Sequence, residues 1–177
     1  MSSVGRMREL PDRGFAGDDG SADPRVSAAM LAYREGGSRV EVLRRLAASR
    51  VLVAVVAVAE DPLAEQQERR GDTSMAALLL RGRDGRTALL AFTSLTALAA
   101  YSASARPVPL TLRDAARAAL SEGAAALVVD VAGPAQLVVE ADDLAHVAAG
   151  HRLVDAERGP AWAVPIGTAQ QPAADAG

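Results

Sequence analysis

A chain of 177 residues, half of them hydrophobic, is long enough for one domain with its own core. Its formal net charge of −3 argues against general nucleic-acid binding, which needs a concentrated positive surface. The chain contains no cysteine, which excludes disulfides, thiol catalysis and thiolate metal sites.

All 19 basic residues are arginine, and the chain contains neither lysine nor asparagine. Lysine and asparagine have AT-rich codons, so this composition indicates a GC-rich genome. Codon supply explains the arginines better than a demand for guanidinium chemistry, which would otherwise suggest phosphate binding.

The longest strongly apolar run, at residues 51–59, is far shorter than the roughly 20 residues that a membrane-spanning helix needs. Residues 1–23 contain scattered charges, Gly and Pro, and no stretch like a signal peptide. We therefore expect a cytoplasmic protein that does not contact a membrane.

The start of the chain is predicted to be a disordered leader at residues 1–23, because it has no hydrophobic period. Asp23 is a favourable N-cap and Pro24 suits the first helical position, which predicts a helix there. Ser38 is expected to start a second helix, and residues 51–59 to form a buried strand. A surface loop is predicted at residues 60–72.

The clearest local signal is a β-hairpin. Two apolar runs, at residues 75–80 and 87–92, flank the turn sequence Asp84-Gly85. The pattern predicts adjacent antiparallel strands, with a positive φ at Gly85.

Two more helices are predicted next. Thr93 or Ser94 caps a short helix, which Pro107 is expected to end. Thr111, with Asp114 three residues later, resembles a capping box and opens a longer helix.

A second hairpin is predicted from strands at residues 126–131 and 136–140, which flank a Gly-Pro turn. Asp142 or Asp143 then starts the last helix, which ends at Gly150.

These elements predict an α/β domain of the α+β type at residues 24–150. It should have a mixed sheet of four to five strands containing β-hairpins, covered by four to five helices. Residues 151–177 are predicted to be a mostly flexible extension, and if this end docks, the contact is expected through the apolar patch around Trp162.

Several short motifs occur in a fixed order: Ser74-Met75-Ala76, Asp84-Gly85-Arg86, Ala91-Phe92-Thr93-Ser94, Ala105-Arg106-Pro107, Leu127-Val128-Val129-Asp130, Gly133-Pro134 and Ala149-Gly150. Together they resemble the N-terminal domain of the SseB family, over residues 38–150. Members often have an acidic residue where this chain has Ser74. Many are small actinobacterial proteins, which agrees with the GC-rich composition. The resemblance implies an α/β fold and a cytoplasmic location, and no enzyme activity, because none is established for the family.

The two histidines do not predict a metal site. His146 and His151 are five residues apart, whereas a helical metal-binding pair needs a spacing of four. A histidine near a helix C-terminus, favoured by the helix dipole, is the simpler interpretation. We therefore predict no metal and no cofactor.

The arginines around the second helix are interpreted as a solvated face, since acidic residues dilute their charge and no aromatic residue lies among them. They are Arg34, Arg39, Arg44, Arg45 and Arg50.

One segment is a candidate ligand site. Phe92, Thr93 and Ser94 place two hydroxyls at a predicted helix N-terminus, where anions bind, and Arg106 could return near them. The structural alternative is ordinary capping by Thr93 or Ser94, with Arg106 as a clamp on backbone carbonyls.

The leading functional hypothesis is a non-enzymatic binding or adaptor module for a protein or a small anionic partner. The rival is an undescribed enzyme that uses Thr93 and Ser94 with Arg106, and either Asp130 or His146 as its base.

Overall fold

The computed structural model describes Phe15 and residues 17–58 and 74–164. The predicted loop at residues 60–72 lies outside the described residues, as do residues 165–177 of the predicted extension. The helices in the described ranges are α1 (Pro24–Arg34), α2 (Arg39–Ala47), α3 (Leu95–Tyr101), α4 (Leu112–Ser121) and α5 (Ala141–Ala149). The strands there are β1 (Arg50–Val58), β2 (Ser74–Ala77), β3 (Leu79–Arg81), β4 (Thr87–Phe92), β5 (Arg106–Thr111), β6 (Ala126–Val129), β7 (Leu137–Glu140), β8 (Arg152–Ala156) and β9 (Gly159–Ala163).

Four of the helices in the described ranges start at predicted capping residues. The fifth does not: Asp142 or Asp143 was expected to start α5, but its N-cap is Glu140, whose side chain makes no capping hydrogen bond. The side chains of Asp23, Ser38 and Thr111 each accept a hydrogen bond from a backbone N–H in the first turn of their helix. Either Thr93 or Ser94 was expected to cap α3, and the capping side chain is that of Ser94. Gly150 follows α5 with a φ of 79°, in the left-handed region that favours glycine.

The main sheet is mixed, as predicted. Five of its strands lie side by side in the order β5, β1, β4, β6 and β7. All neighbouring pairs among them are antiparallel except β4 and β6, which are parallel. The carboxyl ends of β4 and β6 therefore lie at the same edge of the sheet. Strand β1 runs the opposite way, so its first residue, Arg50, lies at that edge too.

The predicted hairpin at residues 75–80 and 87–92 is only half correct. Strand β3 pairs with β4 across the turn, and Gly85 has a φ of 82° as expected. Strand β2 instead pairs with β1. The change of partner occurs at Leu78, whose N–H donates to the carbonyl of Ala54 while its own carbonyl accepts from Leu90. Segment 74–81 is thus a wedge that separates β1 from β4 at one end of the sheet.

Strand β5 was not predicted, because a break was expected at Pro107. It pairs with β1 over six positions, with Pro107 opposite Ala54 and Pro109 opposite Leu52. Proline cannot donate to a ladder, so both prolines must lie where the backbone points away from β1. This arrangement blunts the outer edge of β5 against further strand pairing.

The sheet has two unequally covered faces. The larger core packs helices α1, α2, α4 and α5 on one face, around side chains such as Leu46, Leu89, Leu112 and Leu127. The smaller core lies under α3 on the other face, around Phe92. No helix within the described ranges combines the length and apolarity needed to cross a membrane.

Two segments that were predicted to belong to flexible ends of the chain make defined contacts. In the predicted leader, the Gly20 carbonyl accepts from the Leu95 N–H at 2.9 Å, and Asp18 pairs with Arg50. In the predicted extension, β8 and β9 form an antiparallel hairpin. Its residues Leu153 and Trp162 pack against the larger core.

Candidate functional site

The sequence-predicted site lies at the edge where β4 and β6 end. Thr93 directly follows β4 and Asp130 directly follows β6. The Thr93 N–H donates to Asp130 Oδ1 at 2.8 Å, and the Thr93 hydroxyl donates to Asp130 Oδ2 at 2.6 Å. A parallel pair of strands thus ends in a threonine and an aspartate that bind each other. The carboxyl ends of parallel strands are also where α/β sheets commonly hold ligands.

Arg50 completes this arrangement. It donates to the Thr93 carbonyl, to the Ser21 carbonyl at 2.7 Å, and to both carboxylate oxygens of Asp18. We call Asp18, Arg50, Thr93 and Asp130 the strand-end cluster. Arg50, Thr93 and Asp130 are the buried polar residues of the described ranges.

The two acids of the cluster respond differently to their surroundings. Burial raises the pKa of Asp130, although the hydrogen bonds from Thr93 oppose the rise. The side-chain hydrogen bond from Arg50 lowers the pKa of Asp18 below its ordinary value. Asp130 also has a φ of 53°, the one positive φ at a non-glycine residue in the described ranges.

The polar atoms of the strand-end cluster bind one another and neighbouring backbone carbonyls. Within the described residues, every buried side-chain nitrogen or oxygen has a hydrogen-bond partner. Each buried side-chain nitrogen and oxygen of the cluster already has a partner within the protein, so the geometry favours the structural alternative. The cluster ties β1, β4, β6 and the segment before α1 together.

The four candidate residues do not converge. Phe92 is fully buried in the smaller core, and Ser94 caps α3 by accepting from the Ala97 N–H at 3.0 Å. Arg106 is exposed, and it lies opposite Val55, at the far end of α3 from Ser94. The expectation that Arg106 returns to the start of this helix is therefore wrong, because β5 carries it to the opposite side of β1.

The clamp role predicted for Arg106 belongs to Arg50, which binds backbone carbonyls at the strand ends. The sequence held one signal for this: Arg50 directly precedes a buried apolar strand, so its side chain emerges at the edge of the sheet.

The two histidines meet, contrary to the spacing argument. Their Nδ1 atoms lie 2.7 Å apart, and the His146 ring stacks on Trp162 with a centroid distance of 5.2 Å. Gly150 reverses the chain after α5, so that the His151 N–H donates to the His146 carbonyl. The described residues include no group of three or more His, Cys, Asp or Glu that could hold a metal.

A second candidate site lies on the helical side of the molecule. A cleft of about 580 Å³ opens between α2, the start of α4, the end of α5 and the β8–β9 hairpin. We call it the basic cleft, and it is lined by Leu43, Arg44, Ala47, Ala48, Thr111, Leu112, Arg113, Val147, Gly150, His151, Arg152, Leu153 and Trp162.

The charges of the basic cleft have one sign. Three arginines line it, at 44, 113 and 152, and no acidic side chain does. Arg44 is offset by an ion pair with the exposed Asp155 at 2.7 Å. Among the described residues, Arg113 donates one hydrogen bond, to the carbonyl of Ala149 at 3.4 Å. Arg152 forms no ion pair with any described residue.

The hairpin that forms one wall is held by polar contacts. The Trp162 Nε1–H donates to Asp143 Oδ1 at 2.9 Å, and Asp143 also pairs with Arg39. Burial would raise the pKa of Asp143, but the hydrogen bonds from Trp162 and Arg39 outweigh it and lower the pKa. Trp162 is thereby fixed as part of the cleft wall.

Sequence reasoning missed the basic cleft because its arginines are far apart in the chain. Arg44 was interpreted as part of a solvated face, while Arg113 and Arg152 had no local signal. Only the packing of α2, α4 and the hairpin brings them together.

Comparison with protein-family models gives a match to the SseB protein N-terminal domain over residues 26–146. Neither the curated proteins nor the solved structures give a significant match. The matched range contains strands β1 to β7 and helices α2, α3 and α4, together with most of α1 and α5. Since it spans more than half of the chain, the chain belongs to the SseB family.

Proposed function

We propose that this SseB-family chain is a non-enzymatic cytoplasmic binding module of the actinobacterial type, with an anionic partner that binds in the basic cleft. The actinobacterial origin is supported by the GC-rich composition, in which all 19 basic residues are arginine. The net charge of −3 favours a partner other than nucleic acid.

The observation that carries the proposal is the one-signed charge of the cleft. In a chain with more acidic than basic residues, three arginines and a histidine meet around one concavity with no acidic side chain in its lining. Arginine guanidinium groups bind carboxylate and phosphate oxygens in pairs. The first turn of α4, at Thr111 and Leu112, adds the positive end of a helix dipole to the same lining.

The burial of the strand-end cluster is the reason for proposing that the chain is not an enzyme. The Thr93 hydroxyl does lie within hydrogen-bond reach of Asp130, as a nucleophile and its base would. Both residues are more than nine-tenths buried, at 6% and 7% exposure. A substrate would have no access to the hydroxyl, and Arg106 lies opposite Val55 on the other side of β1 from Thr93.

The proposal is tested by titrating the purified protein with anions of different kinds. We would use 8-anilino-1-naphthalenesulfonate, inorganic phosphate and an octaglutamate peptide, and follow the fluorescence of Trp162. Trp162 is the one tryptophan of the chain and lines the cleft, so its emission reports on occupancy directly. We expect at least one anion to bind, and to bind at least tenfold more weakly to an Arg113→Gln/Arg152→Gln variant.

The matched control is Arg81→Gln/Arg83→Gln, which removes the same charge from two exposed arginines next to the β3–β4 turn. If this variant weakened binding as much as the cleft variant, the effect would come from overall charge. That result, or binding of none of the anions, would contradict the proposal.

A further inference from the structure

We infer that the ligand of the basic cleft is a small amphipathic anion, with one anionic head group on an apolar body. This inference rests on the proposed function and names the chemical class of its partner. Small-molecule sites are clefts of about 300–1,000 Å³, with apolar walls and a few fixed polar groups. At about 580 Å³, the basic cleft falls within that range.

The floor of the cleft accepts an apolar body. Leu43, Leu112 and Val147 line the cleft and are 3%, 1% and 7% exposed, while Leu153 and Trp162 are half-buried and form a wall. An apolar ligand group that covers this surface removes it from water, which is favourable by about 25 cal/mol per Å². A purely polar anion, such as phosphate, leaves this surface wet.

The head group is expected at the end where α5 stops. Arg113 lies close to Gly150, since a Cβ on that glycine would be 2.8 Å from the Arg113 Nε. His151 and Arg152 follow Gly150 directly in the chain, so Arg113, His151 and Arg152 lie around one reversal of the backbone. Arg44 is already paired with Asp155, which leaves Arg113 and Arg152 as the charges to be matched.

An acidic peptide fits the cleft less well. A peptide partner needs a row of main-chain partners or several anchoring pockets. Arg113 and Arg152, which form no ion pair among the described residues, occupy one end of a single concavity. The apolar floor has no acceptor or donor to satisfy a buried peptide backbone, apart from groups at its rim.

The test compares probes that separate charge from apolar body. We would measure binding of 8-anilino-1-naphthalenesulfonate, of its uncharged relative N-phenyl-1-naphthylamine, of inorganic phosphate and of octaglutamate. The sulfonate is expected to bind one molecule per chain, at least tenfold more tightly than each of the other three. In a series of n-alkyl sulfonates, each added methylene group should raise the affinity about two- to fourfold until the cleft is filled.

A space-filling variant locates the apolar body. Ala47 is exposed on α2 and lines the cleft, so Ala47→Phe should fill part of the cleft without removing a charge. We expect it to weaken binding of the sulfonate at least tenfold. Ala145→Phe, at an exposed position of α5 outside the lining, is the matched control and should change binding less than twofold. Far-ultraviolet circular dichroism and cooperative melting would establish that each variant is folded.

The possible failures are distinguishable. Binding of octaglutamate or phosphate that depends on Arg113 and Arg152, without binding of the sulfonate, would overturn this inference and leave the proposed function standing. Equal binding of the charged and uncharged naphthalene probes would overturn the inference too, as would binding that Ala47→Phe does not weaken. If no anion binds, the proposed function falls as well.

Discussion

Asp130 combines a left-handed backbone with a buried carboxylate. Its φ of 53° is tolerated by aspartate and asparagine better than by most residues. Its two carboxylate oxygens accept both hydrogen bonds from Thr93. The residue therefore sets both the direction of the chain after β6 and the link to β4.

This position predicts a pH effect. Because burial raises the pKa of Asp130, its contribution to stability is present below the pKa of the unfolded chain and is lost as pH rises through the folded value. The side chain of Asp130→Asn carries no charge, so this variant should not lose stability at this position as pH rises. The free energy of unfolding of the variant minus that of the wild type should increase from about pH 3 to pH 7 in urea titrations.

Two comparisons check the origin of this effect. Asp18→Asn should show the opposite trend, because the Arg50 hydrogen bond lowers the pKa of Asp18 and that contribution is lost as pH falls. Asp130→Ala should lose about 3 kcal/mol, since both hydrogen bonds disappear and alanine is disfavoured at positive φ. A pH-independent difference for Asp130→Asn would show that the carboxyl does not titrate as described.

Two arginines test which residue clamps the strand ends. Arg50→Ala leaves Asp18 and two carbonyls without their donor, and should cost about 3–5 kcal/mol of the free energy of unfolding. Arg106→Ala removes an exposed side chain and should stay within about 0.5 kcal/mol. Denaturant unfolding of the two variants checks this. Equal costs would contradict the assignment of the clamp to Arg50.

For single residues, the sequence was informative where the role of a residue depends on its neighbours in the chain. The capping roles of Asp23, Ser38 and Thr111 depend on the next three residues alone. The partner of Thr93 could not be predicted in the same way. Arg50 and Arg106 have similar local contexts, and only the direction of β1 against β4 decides which one reaches the edge.

Among the elements, the β8–β9 hairpin was the largest unpredicted one. Its strands contain Gly159 and Pro160 and no strong alternation, so periodicity did not signal them. Its order comes from packing: Leu153 and Trp162 lie against the larger core, and Arg44 and Asp143 hold it by hydrogen bonds.

Removing this hairpin should therefore destabilise the domain. Truncation after Gly150 exposes core side chains that Leu153 and Trp162 cover, and we expect the melting temperature to fall by about 5–10 °C. Truncation after Gly167 is expected to change it by no more than a few degrees. Thermal melting of the two shortened chains against the full chain measures both effects. A fall of similar size in both would contradict the role given to the hairpin.

Strand β5 shows a different limit of local patterns. Proline usually ends a regular element, so the segment at Pro107 was predicted as a break. At a sheet edge the same residue is tolerated, because half of the backbone there has no partner to lose. Whether a segment lies at an edge depends on the whole sheet.

Over the whole molecule, the fold class was predictable because the order of apolar runs and turns restricts the possible layers. The basic cleft was not, since its arginines come from three elements separated by dozens of residues. Net charge describes the average surface, and here it concealed a local surplus of positive charge.

Strand β1 has a consequence for how the chain is made. All three of its partners, β2, β4 and β5, come later in the sequence, and the last ends at Thr111. A ribosome adding roughly 5–20 residues per second needs about 1 to 4 seconds to extend the chain from Val58 to Ala77, the end of β2, and several seconds to reach Thr111. Until β2 has been made, the nine residues of β1, which are apolar except for Arg50, have no strand to pair with, and until Thr111 they lack their full set of partners. We therefore expect translation speed, and chaperones that bind apolar segments, to affect the yield of folded protein more than they affect its final stability.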